Sequence, residues 1–143
     1  MSYHTWSTDG YGFCVDHINT TTEKVVALAS TDKDLLSALQ LLAEEIGCEL
    51  NKLTLEDLDK LEGDCCERGL THILKTAISR ELPVIWADNF DGQNYILLEP
   101  IYPWSRYERD YSREEVDEIY KKYIKFLTDE EIDIDYQSVE NGG

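Results

Sequence analysis

The residues of this chain that could do chemistry are mostly carboxylates, and the densest group lies near the C-terminal end. Five acids occupy the seven positions from 129 to 135. Carboxylates in such a row can pair with the Lys and Arg side chains that a nucleic-acid-binding protein uses to neutralise phosphates. They can equally form a solvated face that keeps a small protein soluble. The candidate partner-binding acids are Glu114, Asp117, Glu118, Asp129, Glu130, Glu131, Asp133 and Asp135.

The spacing of the last of these acids leads to a further expectation. Apolar and acidic residues alternate from 132 to 136, which predicts a strand with one buried and one acidic face. The buried face would carry Ile132, Ile134 and Tyr136. On such a strand Asp133 and Asp135 project the same way about 6.7 Å apart, close to two steps of roughly 3.4 Å along one DNA strand. This acidic face therefore has the spacing of a DNA mimic.

Nucleophilic chemistry has one candidate combination of residues. Cys65 or Cys66 with His72 supplies a thiol and a base. However, Cys66 falls one turn before Leu70 on the apolar face of a predicted helix, which favours burial as a small hydrophobic side chain. The four cysteines include no CxxC pair, and the common phosphate-binding, hydrolase and zinc-protease motifs are missing from the sequence. We therefore predict no catalytic residue, metal ligand or cofactor, and a cysteine-dependent accessory enzyme is the less favoured alternative.

The composition limits the classes of partner. The 143 residues carry 30 Asp and Glu against 13 Lys and Arg, a net charge of -17, which argues against direct binding to nucleic acid or anionic lipid. No stretch of about 18 apolar residues and no signal-peptide-like start is present, so we expect a soluble intracellular protein outside the membrane. Residues 126–143 carry 6 acids and no base, whereas residues 105–125 carry 6 of each. The charge thus favours a basic protein as partner.

A single α+β domain over 1–143 is predicted to position these residues. Helices are predicted between Asp32 and Gly47, from Thr54 to Gly63, from Cys65 to Arg80 and from Arg113 to Leu127. A strand or tight hairpin is predicted between Tyr3 and Val15, and Asp91-Gly92 between two apolar runs predicts a hairpin over 84–98. With the C-terminal strand, this gives a small, mainly antiparallel sheet packed with about four helices on one face. The last three residues, 141–143, are expected to be loose.

An aromatic segment follows the predicted hairpin. Tyr102, Trp104 and Tyr107, with Tyr111 just after them, are candidate anchors for a partner, because aromatic side chains carry much of the energy of protein interfaces. Burial of the same side chains against the sheet is the alternative interpretation.

Four segments of the chain carry a resemblance to a known family. They are Trp6–Gly12, Phe90–Tyr95, Tyr102–Trp104 and Ile134–Gly143. They resemble small, acidic, functionally uncharacterised proteins encoded by phages, prophages and mobile elements of Gram-positive bacteria. The resemblance spans most of the chain and implies a location in the cytoplasm of the bacterial host, but it assigns no site residues.

Small acidic phage proteins include anti-CRISPR and anti-restriction inhibitors, some of which mimic DNA. The resemblance therefore implies a protein that binds and inhibits a basic, nucleic-acid-handling host defence protein such as a CRISPR effector or another nuclease. The alternative function is that of a small phage regulatory or structural protein acting as a dimer. Both a monomer and a homodimer are compatible with the sequence.

Overall fold

The structure, a computed structural model, describes residues 5–99 and 111–142 and has an α+β fold. The strands are β1 (Thr5–Cys14), β2 (Val84–Asp88), β3 (Asn94–Leu98) and β4 (Asp135–Gly142). The α-helices of the described residues are α1 (Thr22–Ala29), α2 (Lys33–Ile46), α3 (Leu55–Leu58), α4 (Gly69–Ile78) and α5 (Arg113–Ile124). The predicted fold class is confirmed, with one helix more than expected.

Two of the predicted helices begin where their capping residues indicated, and α2 also ends there, whereas α5 ends at Ile124 and not at the predicted Leu127. The carboxylate of Asp32 accepts hydrogen bonds from the N–H groups of Asp34 and Leu35 at the start of α2, and Gly47 ends that helix with a φ of 84°. Ser112 caps α5 by accepting a hydrogen bond from the Glu115 N–H. Side-chain caps and a left-handed glycine satisfy backbone groups that a helix end leaves without partners, which is why these boundaries were readable.

The other helices differ from the prediction. α3 begins after Thr54 as predicted, but it ends at Leu58 and does not reach Gly63. α4 begins at Gly69 and not at Cys65, because residues 62–68 form a closed turn before it. α1 was not predicted, since its sequence contains Val25 and Val26, and β-branched residues are weak helix formers. Burial of its apolar face accounts for this helix, as tertiary packing routinely overrides local preference. None of the helices in the described ranges is long and apolar enough to cross a membrane.

The sheet is antiparallel throughout, in the order β2-β3-β1-β4. The N-terminal segment is the strand β1 and not a hairpin, although it contains two glycines. A Cβ on Gly12 would lie 1.8 Å from the carbonyl oxygen of Ile96, and one on Gly10 would lie 2.9 Å from the Cβ of Leu97. These glycines therefore let β1 approach β3 closely, a packing role that the sequence alone did not separate from a turn.

The hairpin formed by β2 and β3 is confirmed. Asn89 organises its turn, since its side-chain oxygen accepts hydrogen bonds from the N–H groups of Asp91 and Gln93. Gly92 follows Asp91 with a φ of 77°, a conformation that glycine adopts at low cost. The Asp-Gly signal was therefore a sound basis for the prediction.

The last strand, β4, lies further along the chain than the predicted strand over 132–136. It pairs with β1 in a register that runs from Gly12 opposite Asp135 to Thr5 opposite Gly142. The side chain of Asn141 also donates a hydrogen bond to the carbonyl oxygen of Asp88 at 3.0 Å. The expectation that the chain is loose from 141 is therefore wrong for the described part of that end.

The main core lies between the helices and one face of the sheet. Phe13 and Tyr120 are fully buried there, and their rings meet edge to face with centroids 5.1 Å apart. A smaller apolar cluster of Ala87, Leu97 and Val139 forms separately from the main core. β1 belongs to the main core and pairs with β4, which begins at the last of the predicted acidic residues. This pairing therefore fixes one end of the acidic segment that follows α5.

Candidate functional site

The acidic arm, residues 129–135, connects the end of α5 to β4. It follows Thr128, which is buried and accepts a hydrogen bond from the Glu130 N–H at 3.1 Å through its Oγ1. Leu127, just before this threonine, is fully buried. The arm therefore leaves the helix from a fixed point in the core.

The arm alternates in burial as predicted, but most of it is not a strand. Ile132 and Ile134 are half-buried against the main core, because alternate residues of an extended chain point to opposite sides. Strand pairing begins only at Asp135, so the predicted strand over 132–136 has the wrong boundaries. Asp133 lies before β4, so Asp133 and Asp135 do not lie on one paired strand. The distance expected between their side chains, which resembled the spacing of DNA, therefore no longer follows from strand geometry.

The carboxylates of the arm are exposed and form no ion pair with a described cation, although Arg113 attracts Asp135 electrostatically. Lys121 and Lys125 line a groove beside the arm, yet neither forms an ion pair with it within the described ranges. Negative charges that share so short a segment repel one another and remain available to an external cation. The exposed carboxylates are Asp129, Glu130, Glu131, Asp133 and Asp135.

A second groove, of about 390 Å³, joins the arm to α5 and β1. The hydroxyl of Tyr11 donates a hydrogen bond to Asp117 and accepts one from the Arg113 Nε at 3.2 Å. The guanidinium carbon of this arginine lies 5.3 Å from the centre of the tyrosine ring. Burial and the carboxylate beside it raise the pKa of the Tyr11 hydroxyl. Asp117 is thus half-buried and already hydrogen-bonded, which makes it the least available of the predicted acids.

The same groove brings together predicted residues that are distant in sequence. Asp117 of α5 and Glu131 and Asp133 of the arm all line it, together with the cations Arg113 and Lys121. The surface at this point is therefore mixed in charge, and the purely acidic part begins on the arm itself.

Glu114 and Glu118 are exposed on α5, as the sequence predicted. The last turn of the same helix carries Lys121 and Lys122, and Lys125 is its C-cap residue. Acids near a helix N-terminus and cations near its C-terminus each stabilise the helix dipole by about 0.3–1 kcal/mol. This local arrangement explains Glu114 without a partner, and Glu118 lies four residues before Lys122, the spacing of a favourable charge pair on a helix, so both are weaker candidates than the arm.

The predicted aromatic anchors Tyr102, Trp104 and Tyr107 lie outside the described residues. Tyr111 is half-buried and packs against the main core, which agrees with the alternative interpretation for that residue.

Sequence reasoning missed one exposed aromatic next to the arm. Tyr136, predicted to be buried, is 75% exposed, and its ring meets the edge of the Tyr11 ring at a centroid distance of 5.1 Å. The alternating pattern placed it inward, but pairing with β1 at this position leaves most of its ring in solvent. The tyrosine directly follows Asp135, so it adds an apolar contact surface to the end of the arm.

The prediction that Cys66 is a buried hydrophobic residue was also wrong. Cys65 and Cys66 are both exposed in the turn before α4, so Cys66 is not a buried hydrophobic residue. The Nδ1 atom of His72 is buried without a hydrogen-bond partner, and the described residues contain no hydrogen bond between it and a thiol. No group of three or more metal-ligating side chains is found in the part of the chain that the structure describes.

Comparisons with known proteins add no function that could be transferred. No family model matches the chain, and neither a curated protein nor a solved structure does. The functional assignment therefore rests on the residues described above.

Proposed function

We propose that this protein is a non-enzymatic inhibitor that binds a basic, nucleic-acid-handling protein through the acidic arm. The observation that supports this proposal is the exposure of all five arm carboxylates, none of which forms an ion pair within the described ranges. Clustering them lowers the stability of the folded chain through repulsion, and a partner that supplies Lys and Arg side chains would relieve that repulsion.

The proposed class of partner follows from this charge. A protein that handles nucleic acid presents Lys and Arg in a groove, and the same cations can pair with the arm in place of phosphates. The net charge of -17 also speeds association with a basic protein and disfavours association with nucleic acid itself. The resemblance to small acidic phage proteins narrows the proposed target to a host defence nuclease such as a CRISPR effector.

Tyr136 is the proposed apolar component of the interface. Interfaces depend on a few well-buried side chains, among which tyrosine is enriched, while exposed charges add mainly to the rate of association and to specificity. Tyr136 stands at the junction of the arm and β4 with most of its ring exposed. A partner that covers this ring while pairing with the arm would gain affinity from both contacts.

Two variants of equal charge test the proposal. The arm variant carries Asp129→Asn, Glu130→Gln, Glu131→Gln, Asp133→Asn and Asp135→Asn. The control variant neutralises five other exposed acids, through Glu44→Gln, Glu45→Gln, Glu49→Gln, Glu56→Gln and Asp64→Asn. Both changes make the net charge less negative by the same five units, so only the position of the charge differs.

The assay is target-DNA cleavage by a panel of purified, guide-loaded CRISPR effectors with each variant in increasing amounts. We expect wild type and the control variant to inhibit at least one effector, and the arm variant to need at least about fivefold more protein, since each of five exposed pairs contributes roughly 0.2–1 kcal/mol. Equal inhibition by the arm and control variants would show that the arm does not carry the interaction. Uninhibited cleavage by every effector, even at low salt, would remove the proposed target class.

A further inference from the structure

The turn between α3 and α4 carries two adjacent cysteines that the proposed function does not use. Cys65 and Cys66 are both free and exposed, whereas Cys14 is buried and Cys48 is half-buried. Burial raises the pKa of the Cys14 thiol, which slows its reactions because the thiolate is the nucleophile. Among the four thiols, this adjacent pair is the most accessible to a reagent in solution.

Hydrogen bonds hold the backbone on both sides of the pair. The Gly63 N–H donates to the Glu67 carbonyl oxygen at 2.7 Å, and the Cys66 N–H donates to the Gly63 carbonyl oxygen at 3.1 Å. The Cys65 N–H donates to the carboxylate of Glu67 at 3.0 Å, and this carboxylate is buried and ion-paired with Lys75. The turn is therefore anchored to the core by a carboxylate while both thiol side chains project from it.

The backbone conformation of Cys66 points to a role for its side chain. Its φ is 70°, and it is the one residue other than glycine with a positive φ in the described ranges. This left-handed conformation costs an ordinary residue free energy that glycine would avoid, yet the position holds a cysteine. Because Cys66 adopts this unfavourable conformation next to a second thiol, we favour a function that needs both sulfurs.

We propose that Cys65 and Cys66 are a reversible redox site, which closes to a disulfide between adjacent residues by exchange with a small-molecule disulfide such as glutathione disulfide. In the first step the thiolate of one cysteine attacks a sulfur of the incoming disulfide, whose S–S bond breaks. This leaves a mixed disulfide and one glutathione thiolate, which takes up the proton that the attacking thiol lost.

In the second step the neighbouring thiolate attacks the protein sulfur of the mixed disulfide and releases the second glutathione as a thiol. The two cysteines together lose two electrons and two protons, and one glutathione disulfide becomes two glutathione molecules. Atoms and electrons therefore balance without any further reagent.

The disulfide should be easy to reduce. Adjacent Cα atoms across a trans peptide are about 3.8 Å apart, which is shorter than the roughly 4.4–6.8 Å that most disulfides span. Strained, exposed disulfides have more oxidising potentials than structural ones, so they open readily when thiols are in excess. The site would close under oxidising conditions and open again when they end.

Peptide mapping tests this proposal directly, because trypsin cleavage after Lys60 and Arg68 places both cysteines in one peptide, 61–68. The native protein is treated with excess glutathione disulfide, its free thiols are alkylated, and the peptides are weighed by mass spectrometry. We expect the 61–68 peptide to be lighter by two hydrogens and not alkylated, and dithiothreitol should restore alkylation at both cysteines.

Two variants serve as controls. Cys66→Ser should stop at the first step and give a peptide that carries one glutathione. Cys48→Ser should leave formation of the disulfide between Cys65 and Cys66 in peptide 61–68 unchanged. The proposal is wrong if the wild-type peptide remains alkylated at both cysteines, carries a glutathione on each, or is recovered linked to a second chain.

Discussion

The carboxylates around α2 and α4 differ from those of the acidic arm in what they contact. Asp32 and Glu67 are buried, and each pairs with a cation: Asp32 with Arg80 at 2.8 Å and Glu67 with Lys75 at 3.1 Å. The arm carboxylates are exposed, and none of them forms an ion pair with a described cation. Carboxylates therefore stabilise the fold around α2 and α4, whereas those of the arm remain available to a partner.

This difference shows that net charge alone does not locate a binding surface. Buried carboxylates that lose their partners leave donors and cations unsatisfied, so the cost falls on folding. Exposed carboxylates that lose their charge cost the fold little, so the effect falls on whatever binds them. Variants of the two regions should consequently separate stability from binding.

Glu67→Ala should show the largest effect on stability. Burial opposes ionisation of Glu67, but hydrogen bonds from its own backbone N–H and from Lys75 outweigh burial and hold its pKa below the usual value. Removing the carboxylate leaves the Cys65 N–H and Lys75 without it, so we expect a loss of about 3 kcal/mol in the free energy of unfolding. Urea denaturation measures this, with Glu131→Ala in the arm as the matched control that should change stability by less than about 0.5 kcal/mol. Similar losses for the two variants would erase the distinction between the regions.

Asp32→Ala should destabilise the protein by about 2 kcal/mol, because it removes both the cap of α2 and the ion pair with Arg80. Asp32→Asn keeps a side-chain oxygen for the cap and loses only the charge, so its loss should be about half as large. Thermal unfolding of both variants checks this order. A loss in Asp32→Asn as large as that in Asp32→Ala would mean that the cap contributes little.

Alkaline pH should lower the free energy of unfolding through Tyr123, whose hydroxyl contacts the carboxylate of Glu81. The hydroxyl of Tyr123 donates to Glu81, and burial together with this hydrogen bond raises the pKa of Tyr123 to about 12 from 10.0. A raised pKa in the folded state means that its stability is fully present below about pH 10 and is lost as the pH rises through 12. Between about pH 9 and 11 this one group should account for about 1 kcal/mol of lost stability.

The control for this effect is Tyr123→Phe, which removes the titrating hydroxyl. Burial also raises the pKa values of Tyr11, Tyr95 and Tyr120, so the wild-type decline should be reduced in the variant without disappearing. Denaturation midpoints measured against pH give the comparison. An identical decline in both proteins would contradict the assigned role of Tyr123.

Neutralising the arm should have the smallest effect on stability and the opposite sign. Since the five carboxylates repel one another and none forms an ion pair with a described cation, the arm variant should be more stable than wild type by up to about 1 kcal/mol at low salt. The gain should shrink as salt screens the repulsion. Loss of stability in this variant would mean that the arm carboxylates have structural partners.

Local signals in the sequence were sufficient for much of the fold. Asp32 and Gly47 bounded α2, and Asp91-Gly92 marked the central hairpin, because caps and turns depend on residues close in sequence. The extent of β4 was missed, since it is set by backbone pairing with β1, more than a hundred residues away. Residues 137 and 138 are polar and break the alternating pattern, so periodicity ended the predicted strand too early.

Some features of the candidate site could be predicted from the sequence, and others could not. The arm carboxylates could be found because exposed acids are visible as a charge cluster in the sequence. The bond between Asp117 and Tyr11 could not, because the two residues come from elements that meet only in the folded chain. Exposure of Tyr136 and Cys66 also depends on tertiary context, namely the pairing with β1 and the turn anchored by Glu67.

The most direct test of the central claim is the salt dependence of binding to an inhibited effector. Dissociation constants for wild type, the arm variant and the control variant would be measured from low salt to about 0.5 M, where charges are screened beyond a few ångströms. If the arm carries the interaction, wild type and the control variant should weaken steeply with salt, and the arm variant should bind weakly with a much shallower dependence. The same steep dependence in all three proteins would contradict a binding role for the arm.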